Sequence, residues 1–278
     1  MSKRFFTSDL HLNSALINKY ARRPYLDAES AATALVTNIN SDCAAADTLI
    51  HVGDFALTSV DAHGKEADIP LSFSADYWKG RIGTRLFLLA GNHDSGHNAE
   101  ADAVSMVVDL NQNWRCVSVG HYPSCSSPFR TARSGRKTAA RNSVNGYKGW
   151  NGVPGRPHVH LCGHVHNSWL FMFDSAKNVL NVNVGVDVWE YRPVEDVELT
   201  EFLDYVKTHL WQRFSAGTDI RMSRAEFDAF KTAKNEEIRI ARAQRRADRL
   251  KAKGLTPEEC ERRREAAMAA KRGQKEWK

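Results

Sequence analysis

No stretch of this 278-residue chain approaches the roughly 18 consecutive apolar residues that a bilayer-spanning helix requires, so no membrane role is expected. The opening MSKRFFTSDLHLN carries basic residues but no apolar run of signal-peptide length, and the expected compartment is the cytoplasm. Cysteine is sparse. The five present, Cys43, Cys116, Cys125, Cys162 and Cys260, are odd in number, scattered and free of any CxxC pair. That excludes a disulfide framework and suits a reducing compartment, with Cys162 read as a small buried hydrophobe. Acid is missing altogether between Asp109 and Asp174, an interval that holds Arg115, Arg130, Arg133, Arg136, Lys137, Arg141, Lys148 and Arg156. A block of one sign over that length points to a surface that attracts anions. Positive charge also collects in residues 221–278, where 18 Lys and Arg face 10 Asp and Glu, leaving the formal +6 of the chain to arise there.

What is present in quantity is short β-rich apolar runs that end in polar residues. They are KRFFTSD (3–9), TLIHVGD (48–54), RLFLLAGNHD (85–94), WRCVSVGH (114–121), HVHLCGHVH (158–166) and VLNVNVGVD (179–187). Near-continuous apolar strands suit sheets covered on both faces. Residues 28–42 read as a helix with Asp27 as N-cap and Ala32, Leu35, Val36 and Ile39 as its buried stripe. Further helices are expected over 97–108 and 195–213. The alternation predicts an α/β protein whose chemical groups gather in loops beyond the carboxyl ends of strands. Residues 122–157, rich in Ser, Gly, Pro, Arg and Lys, form a longer connection than structure alone requires, and a functional loop is expected there. We therefore divide the chain into a body over 1–215, with the basic loop inserted, and a basic helical extension over 216–278. Within the extension, residues 224–254 read as one helix stopped by Gly254. A second starts at Thr256, with Pro257 in its first turn and Glu259 closing a capping box.

Five short segments carry donor atoms: Asp9-Leu10-His11, Gly53-Asp54, Gly91-Asn92-His93-Asp94, Gly120-His121 and Gly163-His164-Val165-His166. Singly each is weak, since Asp-x-His and Gly-Asp mostly occupy turns. Gly-His-x-His is the most telling, because alternate residues of an extended segment point the same way. Jointly, five strand-like runs end in oxygen or nitrogen donors that a single crevice could collect. Mixed imidazole and carboxylate suits Mn, Fe, Zn or Ni rather than Mg or Ca.

In this order the segments resemble the motifs of the calcineurin-like metallophosphoesterase family, D-x-H, G-D, G-N-H-[D/E], H and G-H-x-H, across residues 9 to 166. The wording around them is similar to a small bacterial and phage branch. The resemblance implies a two-sheet αββα sandwich and two divalent metal ions, manganese first among them. Asp9, His11 and His166 would hold the first ion and Asn92, His121 and His164 the second, with Asp54 between them. It further implies hydrolysis of a phosphomonoester or phosphodiester by a hydroxide bridging the metals. His93, not itself a ligand, would then protonate the leaving alkoxide or steady the phosphoryl oxygens, with Asp94 orienting its ring. Relatives often place a third histidine where this chain has Asn13, which offers a substrate only a neutral hydrogen bond.

Three functions are weighed. The first is hydrolysis of a small phosphorylated metabolite or nucleotide, with Arg22, Arg23, Lys148 and the loop arginines as candidates for positioning the anion. The second is a nuclease or nucleic-acid end-processing phosphatase that uses the basic loop and tail, with Phe129, Tyr147 and Trp150 available to stack on bases. The third is a non-catalytic binding protein, against which the complete ligand set argues.

Overall fold

The structure, a computed structural model, describes residues 2–57, 75–94, 102–103, 105–124, 158–215 and 219–252. The expected second tail helix, most of the basic loop and the arginines and aromatics named in it lie outside the described residues, as do Cys125 and Cys260. Two compact units divide the chain, Met1–Arg224 and Ala225–Lys278. Among the described residues the protein is mixed α/β, with two mixed sheets and five α-helices.

The first sheet orders its strands β3-β2-β1-β9: β1 (Arg4–Thr7), β2 (Thr48–Val52), β3 (Arg85–Leu89) and β9 (Val194–Glu195). β1, β2 and β3 run parallel, with Thr7 opposite His51 and Val52 opposite Leu89. The second sheet contains β4 (Ser105–Val108), β5 (Val117–Gly120), β6 (His158–Cys162), β7 (Phe171–Asp174), β8 (Val179–Asn183) and β10 (Ile220–Met222). Its order is β10-β7-β8-β6-β5-β4, with β5, β6 and β8 mutually parallel. Parallel pairing matters here because it delivers strand ends to a common edge. Every expected ligand falls within four residues after the end of one of these parallel strands.

Of the helices, α1 (Ala15–Tyr20) and α3 (Ala75–Lys79) are short, α2 spans Ala28–Asp42, α4 spans Asp196–Ser215 and α5 spans Arg224–Ala252. α2 forms as expected. Asp27 accepts the Ser30 amide at 2.7 Å while Ser30 Oγ receives the Asp27 amide, a reciprocal cap that satisfies two otherwise orphaned donors. Its stripe of Ala32, Leu35, Val36 and Ile39 joins Phe5 and Leu49 of the first sheet, with Trp78 and Leu88, in one core cluster. The helix expected over 97–108 is a correction: its last four residues form β4, which pairs antiparallel with β5 from Ser105 opposite Gly120 to Val108 opposite Val117. β-branched Val107 and Val108 suit that pairing, and tertiary hydrogen bonding overrides a weak helical pattern. The start of the extension also differs, since Ile220–Met222 adds an edge strand to β7 before α5 begins.

Candidate metal centre

Each motif residue stands just beyond a strand, and five of them sit on a backbone bent to carry them. Asp9, His11, Asp54, His164 and His166 all take left-handed φ, between 47° and 70°. Non-glycine residues rarely adopt that conformation, and its concentration at one locus is the mark of strain held at a functional site. The glycine preceding a donor has a steric cause, plainest at Gly163 and Gly91. A Cβ at Gly163 would overlap Ser8 Oγ and the Asp9 carboxylate, and one at Gly91 would overlap the Asp54 carboxylate and its amide. Only glycine lets these backbones approach the carboxylates so closely.

The donors converge into groups in which all ligand atoms lie within 4.8 Å of one another: Asp9 with His11 and His166, and Asp54 with His121 and His164. His11 and Asp54 form a third such group with His93. Asp54 Oδ2 lies 3.4 Å from His11 Nε2 and 3.2 Å from His121 Nε2, so one carboxylate oxygen faces an imidazole of each main group. Asn92 Oδ1 reaches His121 Nε2 at 3.0 Å, which brings the expected amide ligand to the second group. The Asp9 carboxylate accepts the His164 amide at 2.9 and 3.0 Å, tying the two Asp- and His-bearing loops together. All nine residues singled out in the sequence are thus at this locus.

Electrostatics there are set by two buried carboxylates among several imidazoles. Burial pushes the Asp54 carboxyl up, but the imidazoles of His121, His11 and His93 outweigh it and hold the group well below its usual range. Burial raises Asp9, against the pull of His166 and His121. His11 is driven well below its ordinary value by burial, and His164 falls to about 3 by burial and the neighbouring His121. His121 moves the other way, to about 10, because Asp54 and Asp9 overcome its desolvation. Neutral His11 and His164 beside ionised Asp54 present lone pairs ready for a cation. His11 Nε2 is buried with no hydrogen-bond partner and aimed at Asp54, an arrangement that costs free energy unless something electrophilic sits between them. These buried His and Asp groups could hold a metal ion.

Comparison with known proteins adds little to this chemistry. No family model matches the chain, and no curated protein matches it. Among solved structures, a protein of unknown function from Aquifex aeolicus is similar at 18% identity, with a TM-score of 0.48, over 73% of this chain and 100% of that one. Similarity at that level assigns neither family nor activity.

Three expectations change in detail. Arg23 does not face a substrate: its side chain is fully buried, donating to the Asp187 carboxylate and to the backbone carbonyls of Asp9 and Leu10. Asn13 is buried as well, with its amide nitrogen on Leu57 O at 2.7 Å and its oxygen receiving Trp78 Nε1. It braces the Asp9–His11 loop rather than meeting a ligand. Asp94 accepts the backbone amides of Gly91, Asp54 and Phe55, so its carboxylate shapes the backbone under Asp54 and His93 instead of binding the His93 ring. Arg22 is exposed, and Lys148 lies outside the described residues.

One participant was missed. Asp187, four residues beyond β8, meets His166 Nδ1 at 2.7 Å through Oδ2. The signal existed, since VLNVNVGVD ends a strand in an acid as TLIHVGD does, yet it belongs to no motif that suggested a partner. Outside the centre, Ser118 Oγ lies 2.6 Å from His158 Nε2 and 2.8 Å from His160 Nδ1. His160 Nε2 reaches the carbonyl of Tyr122, the residue after His121. A carbonyl only accepts, so His160 carries its proton on Nε2. Ser118 therefore donates to His160 and accepts from His158, a chain of neutral groups under the second half of the centre.

Proposed function

We propose that this chain is a dinuclear metal-dependent phosphoesterase of the calcineurin-like type. On that reading its two sheets and flanking helices make up the αββα sandwich of that family. The observation that carries the reading is Asp54, whose Oδ2 faces His11 and His121 at 3.4 and 3.2 Å, between two groups of buried donors. A shared carboxylate between two imidazole-rich groups is what two adjacent divalent cations require. Asp9, His11 and His166 would hold one ion and Asn92, His121 and His164 the other, with manganese the first choice for this donor mixture. Two such cations supply Lewis acidity towards a phosphoryl oxygen and lower the pKa of water to near neutrality.

The residues do the rest. His93 is only partly buried, its ring 4.9 Å from that of His11 and its amide fixed on Asp54 Oδ1 at 2.8 Å. From that position it is the side chain placed to give a proton to a departing alkoxide. Asp94 keeps the loop under His93 and Asp54 in one conformation through its three amide contacts. Tyr122, its ring 5.1 Å from that of His121 and 4.9 Å from that of His164, lines the second half of the centre.

The substrate class follows from charge. A phosphomonoester or phosphodiester of small, nucleotide-like size suits the acid-free, Arg- and Lys-bearing interval between Asp109 and Asp174, which also supplies His121, His164 and His166. The basic half of α5, with Arg239, Arg242, Arg245, Arg246, Arg249 and Lys251 against Asp248, keeps nucleic acid as the second candidate. A hydrolysis screen with added Mn over phosphomonoesters, diesters, cyclic nucleotides and DNA tests the reading. Turnover of at least one ester, abolished by chelation and restored by Mn, is expected; none across the screen in the Mn-loaded protein contradicts it.

A further inference from the structure

The two main groups of donors orient their histidines differently, and the difference assigns a role to residues outside every motif. His121 Nδ1 lies 2.9 Å from a backbone carbonyl, Val52 O. His166 Nδ1 lies 2.7 Å from a buried carboxylate, Asp187 Oδ2, while its Nε2 turns towards Asp9 Oδ1 at 4.0 Å. An acceptor at Nδ1 fixes the proton there, which leaves the Nε2 lone pair facing the Asp9 group.

Asp187 is itself held. Arg23 Nε donates to its Oδ1 at 2.7 Å and a terminal Arg23 nitrogen approaches Oδ2 at 3.2 Å. The remaining donors of the same guanidinium reach Leu10 O at 2.8 Å and Asp9 O at 2.6 Å. One buried cation therefore spans two loops from different sheets: Asp9-Leu10, which follows β1, and Asp187, which follows β8 and carries the contact to His166. Removing an acid from such an arrangement leaves a buried guanidinium without its counter-ion. The Asn167 amide, beside His166, adds a bond at 3.0 Å to Ala21 O on the segment that carries Arg23.

We propose that Asp187, locked by Arg23, is the positioning residue for metal at the Asp9, His11 and His166 group and has no part in the Asp54, His121 and His164 group. Asp187 orients and polarises the His166 imidazole, and Arg23 sets the distance between that imidazole and the Asp9 loop. The inference rests on the metal-centre reading, and a test on binding rather than turnover separates the two.

Mn alone, titrated calorimetrically into the full chain after chelation, is the probe. The wild type should take up two ions. Asp187→Asn, which keeps the shape and removes the charge, should weaken one of the two about 10–100-fold and leave the other unchanged. His166→Ala should lose the same ion, and His166→Ala with Asp187→Asn should bind no more weakly than His166→Ala alone, because Asp187 acts through that ring. Should Asp187→Asn not fold, as judged by circular dichroism, Asp187→Glu keeps the charge and shifts it, and selective weakening of the same ion is again expected. Wild-type affinities at both positions in a folded Asp187 variant, or equal weakening of both, would overturn the assignment while leaving the dinuclear reading intact. A wild type that binds no Mn would instead remove the reading beneath it.

Discussion

The half of the centre built from Asp9, His11 and His166 is braced by charge, and the half built from Asp54, Asn92, His121 and His164 by backbone. In the first, Arg23 and Asp187 form a buried ion pair that also clasps two carbonyls of the Asp9 loop. In the second, His121 leans on Val52 O, Asp94 gathers three amides, and the Ser118, His158 and His160 chain supports Tyr122 from beneath. Asp54 belongs to both. The contrast teaches that similar donor sets can be fixed by supports with different sensitivities. An ionised pair fails when one charge is removed, whereas a network of neutral imidazoles fails in acid.

Removing the shared member should have the largest effect. Asp54→Ala is expected to lose Mn from both positions and all turnover with it, measured by metal analysis and hydrolysis on one preparation. Retention of either ion would separate the halves and break the idea of a common ligand. Next comes His93→Ala, expected to keep both ions and lose about 10²–10⁴ in kcat, the usual worth of a general acid. An emptied site would make His93 a ligand, as its grouping with His11 and Asp54 also permits.

A smaller effect distinguishes the supports by pH. Burial brings His160 down to about 4, and His158 likewise to about 4. With the unfolded imidazole titrating near 6.5, the unfolded chain binds more protons than the fold between those values. The stabilising contribution is therefore intact above about pH 6.5 and lost progressively as pH falls towards 4. For Asp187, whose carboxyl is lowered, the contribution persists through that window and is lost only in stronger acid. In metal-free protein, His160→Gln should therefore reduce the stability lost between pH 7.5 and pH 5 by on the order of 1–2 kcal/mol, read by urea unfolding. An unchanged acid response would show that the second half does not depend on these histidines.

Least affected should be a chain lacking residues 239–278, since every candidate ligand and its named supports lie in Met1–Arg224. Mn affinity and hydrolysis of a small diester are expected to match the full chain. A changed Mn affinity would mean that the tail completes the centre.

Much of this is legible in the sequence, for identifiable reasons. Donors at strand ends announce themselves, because a β-rich run that stops at Asp, Asn or His gives both the element and the direction of its last residue. α2 was legible through its cap and stripe. What escaped were supports whose partners are remote in sequence: Arg23 and Asp187 are 164 residues apart, and no local pattern links them. Strand β4 escaped because four residues gain their identity from β5 rather than from their own periodicity. Arg23 drew a substrate role from its charge alone, and only burial reveals its structural use.

The central claim is best tested by counting metal and turnover together. Full-length protein prepared without chelator, saturated with Mn and freed of excess, should hold two ions per chain and hydrolyse a generic phosphodiester. Chelation should end the activity, and Mn should restore it in proportion to occupancy of the second position. A saturated protein holding one ion, or one holding two ions yet inert towards every monoester, diester and nucleic acid tried, would contradict it.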